Sequence, residues 1–321
     1  MSADKRTSFY IYDALSFTSK NPTHNVEFII EFLGFHSIQW VDTYGVKGYK
    51  SRKYFDGVNI NYDSDDPEKF LWVELSGQGC RVFETYGNGD YSKIFSWILA
   101  NPDVSITRLD IAFDYLENQD IIHKIKNALR NGDYVSSFRS WEITEDKNDA
   151  STIYIGSKKS DFFFRIYDKA IERGYLDRSC GTWIRFEAQL RHDRANAWIE
   201  SNFQPFELIN LLSGYIRFID PDSLDSNKSR CDIADWWDQF VDLALSIKLI
   251  QYPGTEYNLS NLSRFVFGQA GAAVYSAIEV YGLVSFLRRL QESSQETAIN
   301  NPKYQQFFRK EVKQWVKESQ L

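Results

Sequence analysis

The residues best suited to chemistry lie in Phe162-Phe-Phe-Arg-Ile-Tyr-Asp-Lys169. Alternate residues of a strand share a face, so a strand here presents Arg165, Tyr167 and Lys169 together. A phenol between two cations is placed to become a phenolate beside a phosphate. Two other stretches repeat the layout of an acid with a flanking cation. Thr107-Arg-Leu-Asp-Ile-Ala-Phe-Asp114 sets Arg108, Asp110, Ala112 and Asp114 opposite Leu109, Ile111 and Phe113. Trp183-Ile-Arg-Phe-Glu-Ala-Gln-Leu190 sets Trp183, Arg185, Glu187 and Gln189 opposite Ile184, Phe186, Ala188 and Leu190.

Side by side in one sheet, these strands bring Asp110, Glu187 and Tyr167 to one point. The chemistry such a set suits is phosphoryl transfer through a covalent intermediate. Free tyrosine titrates near pH 10, so it attacks at neutral pH only where cations or a metal stabilise the phenolate. A divalent ion on Asp110 and Glu187 would polarise the phosphate. Arg165, Arg185 and Lys169 would offset charge on its oxygens. A tyrosyl phosphodiester conserves the energy of the cleaved bond, so the same site can cut and rejoin a strand. Asp114 stands about 13 Å from Asp110 in an ideal strand and reaches the same ion only if the strand bends. Tyr154 and Tyr115 compete for the nucleophile's role. Among nineteen tyrosines, Tyr167 stands out by its flanking cations. The plain alternative is that each Arg and acid pairs across strands for stability alone.

The elements that must hold these residues follow from hydrophobic periodicity. Up to about residue 200 the pattern is mostly period two. Strands are expected at Val26–Leu33, Ser37–Thr43, Lys47–Tyr62, Phe70–Glu84, Thr107–Tyr115, Ser137–Ile143, Thr152–Gly156, Phe162–Lys169 and Thr182–Leu190. Helices are expected at Tyr91–Ala100, Gln119–Asn131 and Asp193–Phe203. This order implies an α+β domain around a largely antiparallel sheet flanked by helices, at residues 1–204. After Pro205 the period becomes helical, at Phe206–Leu212, Ile233–Lys248, Leu259–Phe267, Ala270–Glu279, Val284–Glu292 and Lys303–Lys317. Residues 205–321 are therefore expected to form a mostly helical C-terminal region, DNA- or partner-binding, with a polar linker near Asp220–Arg230.

Composition narrows the class. Hydrophobic residues make up 43% and aromatics 16% of 321 positions, enough for a real core. No signal peptide or membrane span is expected, and the three scattered cysteines suit a reducing cytoplasm. Four histidines share no ligand spacing, so any metal site must be carboxylate-rich, favouring Mg²⁺ or Mn²⁺. A net charge of −7 argues against a generic nucleic-acid coat. Locally, nine Lys/Arg face six Asp/Glu between Ala150 and Arg194. The run Lys47, Lys50, Arg52 and Lys53 is a second basic cluster, read equally well as solvated sheet surface.

Five segments in order resemble the replication initiation factor family (Rep_trans), rolling-circle initiators of plasmids and filamentous phages. They are Leu75-Ser-Gly-Gln-Gly-Cys-Arg81, Thr107–Asp114, Tyr154-Ile-Gly-Ser-Lys-Lys-Ser-Asp161, Arg165–Lys169 and Arg185-Phe-Glu-Ala-Gln-Leu-Arg191. The resemblance implies a site-specific single-strand DNA endonuclease and ligase working through a 5′-phosphotyrosine. Its nucleophile maps to Tyr167 and its metal ligands to Asp110 and Glu187, with Asp114 or Asp168 as a third. His192 reads better as a surface residue than as a further ligand or acid. DNA contacts are expected from Arg81, Arg108, Lys158, Lys159 and Arg191, the glycine-rich segment being read as a turn that carries Arg81 or is only structural. Expected partners are origin DNA in double- and single-stranded form, host helicase and polymerase, and a second copy as homodimer. Alternatives are a relaxase of a conjugative element and a non-catalytic DNA-binding regulator of the same fold.

Overall fold

The computed structural model describes residues 8–247, apart from 36–39, 64, 67–68, 118–119, 146–150, 175–181 and 224, together with 266 and 271–300. The chain divides into two units, Met1–Gln251 and Tyr252–Leu321. In the second, α9 (Gly271–Tyr281) and α10 (Leu283–Asn300) are the described helices. The expected helix 303–317 lies outside the described residues, as does 259–267 apart from residue 266.

The first unit is built on ten strands. In chain order they are β1 (Phe9–Ser19), β2 (Val41–Tyr44), β3 (Ser51–Phe55), β4 (Val58–Tyr62), β5 (Leu71–Leu75), β6 (Val104–Tyr115), β8 (Trp141–Glu145), β9 (Ser151–Ile155), β10 (Phe162–Asp168) and β11 (Ile184–Arg191). Their order across the sheet is β2-β3-β4-β5-β1-β6-β11-β10-β9-β8. Every pairing is antiparallel. β7 (Tyr134–Ser136) and β12 (Ile216–Phe218) form a separate ribbon. Among the described residues, seven helices of seven to twelve residues accompany the sheet: α1 (Val26–Phe32), α2 (Gly77–Tyr86), α3 (Tyr91–Ala100), α4 (Asp120–Asn131), α6 (His192–Glu200), α7 (Leu208–Tyr215) and α8 (Asp235–Ser246), with a single turn α5 (Lys169–Glu172).

One face of the sheet is apolar. Leu109, Ile111 and Phe113 of β6, Phe186 and Ala188 of β11, and Phe164 and Ile166 of β10 join a continuous core with Ile29 and Leu33, Phe83, Ile94, Trp198 and Phe240 from the helical side. The other face carries the polar residues. Register pins them: Arg185 stands opposite Asp114 and Gln189 opposite Asp110, while Arg165 stands opposite Glu187 and Tyr167 opposite Arg185.

Four sequence expectations change. Val26–Leu33 is helix α1 rather than strand: Asn25 caps it by accepting from the Phe28 amide at 2.9 Å, and Val26, Ile29 and Leu33 bury one helical face. Phe70–Glu84 splits into β5 and α2, with Ser76 as N-cap accepting from Gly79 N. The glycine-rich segment is thus the first turn of a helix. Its glycines permit a backbone contact, since a Cβ on Gly79 would collide with the Gly57 carbonyl of the β3–β4 turn. Central strand β1 was not anticipated, because it is buried on both faces and shows no clean alternation. Finally, a boundary at 204/205 does not match the division into units: α7, β12 and α8 pack into the first unit, where Tyr10 donates to the Ala244 carbonyl at 2.9 Å. Gly79→Ala is expected to lower unfolding stability by about 1–3 kcal/mol, read from urea midpoints, because backbone and not a flexible side chain must yield.

Candidate active site

Three adjacent strands, β6, β11 and β10, place Asp110, Glu187 and Tyr167 on the polar face. Two irregularities shape the neighbouring strand. β1 carries an extra residue at Asp13 against β6, and β6 carries an extra one at Thr107 against β1. Such bulges re-aim side chains near functional sites. At the first bulge, Arg81 of α2 donates to the Tyr12 carbonyl at 2.6 Å and pairs with Glu84, to which Tyr91 also donates. Arg81, expected as a DNA contact, thus secures the bulge in this structure.

The charges are matched in a fixed pattern. Arg108 Nε donates to Asp110 at 2.8 Å, and Arg165 donates to Glu187 Oε1 at 2.6 Å. Tyr167 donates to Glu187 Oε2 at 3.1 Å, and Lys169 Nζ lies 3.4 Å from the phenol oxygen. Lys169 also pairs with Glu172. Arg185 grips Asp114 with two bonds of 2.6 and 2.7 Å, and its Nη1 lies 2.7 Å from Asp13. Asp13 had no place in the sequence expectations. A single acid in an aromatic run carries no signal until the bulge turns it onto this face.

Burial sets the proton affinities. Asp110, 2% exposed, has its carboxyl pushed up to about 7, first by burial and then by Glu187, against the opposing pull of Arg108. The Tyr167 phenol, 5% exposed, is raised well above its ordinary value by burial and by Glu187, while Arg185 and Arg165 oppose this. Burial and the neighbouring Arg185 lower the Lys169 ammonium. Burial disfavours the charged Arg165 and Arg185, but their carboxylate partners outweigh it and raise both. In this state the phenol is therefore held protonated, with a carboxylate already positioned to receive its hydrogen.

Other expected residues take different places. Asp114, 0% exposed, is committed to Arg185 and not directed at an ion. Asp168 lies on the opposite side of β10 and caps α5, accepting from Ile171 N at 3.0 Å. His192 is exposed at the start of α6, as the surface reading expected. Tyr115 is buried against Phe113 and Phe240. Tyr154 of β9 is half-buried on the polar face opposite Arg165, with Lys158 Nζ 3.9 Å from its ring centre. Lys158 pairs with Glu142 and Lys159 is exposed, while Arg191 reaches the carbonyls of Lys158 and Ser160. The 47–53 cluster is largely matched, Lys50 by Asp65 and Lys53 by Asp42, as sheet surface.

The donor set suits an oxygen-preferring cation of the magnesium type. Among the described residues no three Asp, Glu, His or Cys side chains close into a cage. Asp110 and Glu187 are nonetheless carboxylates on adjacent strands, and Mg²⁺ ordinarily takes one or two carboxylates with waters and substrate phosphates. The arginines now on those acids, Arg108 and Arg165, are 39% and 35% exposed and can swing toward a phosphate.

Comparison with known proteins agrees with this arrangement. Residues 104–290 match the replication initiation factor family, spanning all three site strands. The chain belongs to that family. Residues 12–98 of this initiator-family protein also match the rolling circle replication initiation protein N-terminal domain. It is 26% identical over 237 residues to NicK, the candidate DNA relaxase of Bacillus subtilis (strain 168), covering 68% of this chain and 67% of NicK. The structure of a rolling circle replication initiator protein from Geobacillus stearothermophilus superposes with a TM-score of 0.66 at 28% identity, over 75% of this chain and 98% of that one. Rolling-circle initiators and relaxases nick DNA, and the family generally employs a divalent metal.

Arg185→Ala strands two acids, one of them fully buried. It is expected to cost about 3–5 kcal/mol of stability, measured by denaturant titration. Arg191→Ala, at a half-exposed position, should change stability by about 0.5 kcal/mol or less.

Proposed function

We propose that this protein nicks and rejoins one DNA strand at a specific origin, starting rolling-circle replication through a 5′-phosphotyrosine at Tyr167. What carries the reading is the convergence of Tyr167, Glu187 and Lys169 within hydrogen-bonding range on the strands that match the family. Glu187 accepts the phenol proton as Tyr167 attacks, the bond from phosphorus to the 3′ oxygen breaks, and that oxygen takes the proton back from Glu187 to leave as a 3′ hydroxyl that can reverse the step. Arg165 moves onto the phosphate's non-bridging oxygens, where fixed guanidinium geometry stabilises developing charge. Lys169 offsets the charge of the phenolate. A divalent ion, Mg²⁺ or Mn²⁺, would be held by Asp110 and Glu187 and would supply Lewis-acid polarisation of the phosphate. Lys158, Lys159 and Arg191, at the β9–β10 turn and the end of β11, guide the strand to the site, with host helicase and polymerase acting on the opened origin and a second copy as dimer partner.

One observation favours a second nucleophile. Tyr154 is more accessible than Tyr167 and faces Arg165 from the next strand. Incubation with the parent replicon's supercoiled DNA and Mn²⁺, followed by peptide mapping of the adduct, separates the two. Tyr167→Phe is expected to lose the adduct while retaining DNA binding and Tyr154→Phe to keep it. The reverse outcome transfers the role to Tyr154. The similarity to NicK also supports a relaxase acting at a transfer origin, which the mapped position of the nick distinguishes.

Metal binding should depend on pH with a definite sign. Because the Asp110 carboxyl is raised to about 7, it is protonated below that pH and must lose its proton to hold an ion. Mn²⁺ affinity, followed by calorimetry, is expected to rise as pH increases through about 7, and Asp110→Asn should flatten that rise.

A further inference from the structure

Next to the site lies a cleft of about 180 Å³ whose lining includes Asp13, Ser16, Glu74, Arg108, Asp110 and Arg165. It shares Asp13, Arg108, Asp110 and Arg165 with the candidate active site and extends it toward β5. By liquid volume it holds about six waters, too little for a duplex but room for one flat ring system. Cross-strand register sets Glu74 opposite Ser16, and Ser16 opposite Arg108, so all three stand on the polar face.

Glu74 differs from the other acids here. Asp110 is matched by Arg108, Glu187 by Arg165, and Asp114 and Asp13 by Arg185. Glu74 is half-buried, yet among the described residues it makes no side-chain hydrogen bond or ion pair. A partly desolvated carboxylate left without donors loses free energy that a ligand with donors can restore. In the same lining, Arg108 stands opposite Ser16 with its edge held by Asp110, which leaves a face of its guanidinium as a stacking surface for a base.

We propose that this cleft receives the base of a nucleotide next to the scissile phosphate and that Glu74 reads it as guanine. An ionised carboxylate accepts hydrogen bonds and cannot donate. Guanine alone among the DNA bases offers two adjacent donors on its Watson–Crick edge, N1–H and the N2 amino group, which match the two carboxylate oxygens. Adenine and cytosine set a ring-nitrogen acceptor beside their amino group, and thymine flanks its single N–H with two carbonyls. Each therefore turns a lone pair toward Glu74. A base unstacked within a single strand exposes this edge, as nicking of a melted origin requires. The inference thus rests on the nicking reading above and adds sequence preference to it.

The test uses the full chain in EDTA, so that no strand is cut. Fluorescence anisotropy compares labelled oligothymidylate of about 20 nucleotides with the same oligomer carrying one central guanine, adenine or cytosine. The wild-type protein is expected to bind the guanine oligomer at least about fivefold more tightly than the others, the range of one bidentate contact. Glu74→Ala should bind all four alike, and Glu74→Gln, which presents a donor beside an acceptor, should lose the preference for guanine. Equal binding of all four by the wild type, or an undiminished guanine preference in both variants, overturns the assignment while leaving the nicking reading standing. Failure to bind any single strand overturns both.

Discussion

Arg185 is a cation placed near the middle of a ten-stranded sheet, and the arrangement around it depends on how that charge is compensated. Two oxygens of Asp114 on β6 and one of Asp13 on β1 meet its guanidinium, so β11, β6 and β1 are tied through a single buried group. A one-residue slip in any of these strands would turn its partner onto the apolar face and leave a charge without compensation. Buried ion pairs contribute little net stability, because desolvation offsets much of the attraction. What this one contributes is a definite register, and the register places Tyr167 beside Arg185 and Glu187 beside Arg165.

From that register follows an economy of charge suited to a phosphate-handling surface. In the described state each key cation is matched by an acid, and Tyr167 stays protonated against Glu187. The exposed arginines, Arg108 and Arg165, hold acids that are almost fully buried. On the proposed reading, an incoming phosphate would compete for the Arg165 guanidinium and free Glu187 for a cation, so that anion and cation would help each other to bind.

Much of this was legible in the chain. β6, β10 and β11 alternate polar and apolar residues because one face packs on helices and the other faces the site, and period-two reading finds such strands. α1 escaped it because it is a short, largely apolar run, in which strand and helix differ chiefly by caps, and α2 because its glycine-rich start reads as a turn; Asn25 and Ser76 were the available signals. β1 escaped for a different reason. Lying at the centre of the sheet with a bulge at Asp13, it is buried on both faces and has no unbroken period.

The sequence by itself determined which residues share a strand face, and hence that Arg165, Tyr167 and Lys169, Arg108 and Asp110, and Arg185 and Glu187 could meet. Backbone pleating is local, and alternation records it directly. Only the tertiary structure decided which acid belongs to which cation. Asp114 and Arg185 are 71 residues apart and adjacent in space, and nothing in either segment indicates that this aspartate serves an arginine and not an ion. The same holds for Asp13, brought to the site by one extra residue in β1, and for Arg81, which braces that bulge. Pairing across strands depends on register and on the path of the chain between them, which are set by packing of the whole sheet against its helices.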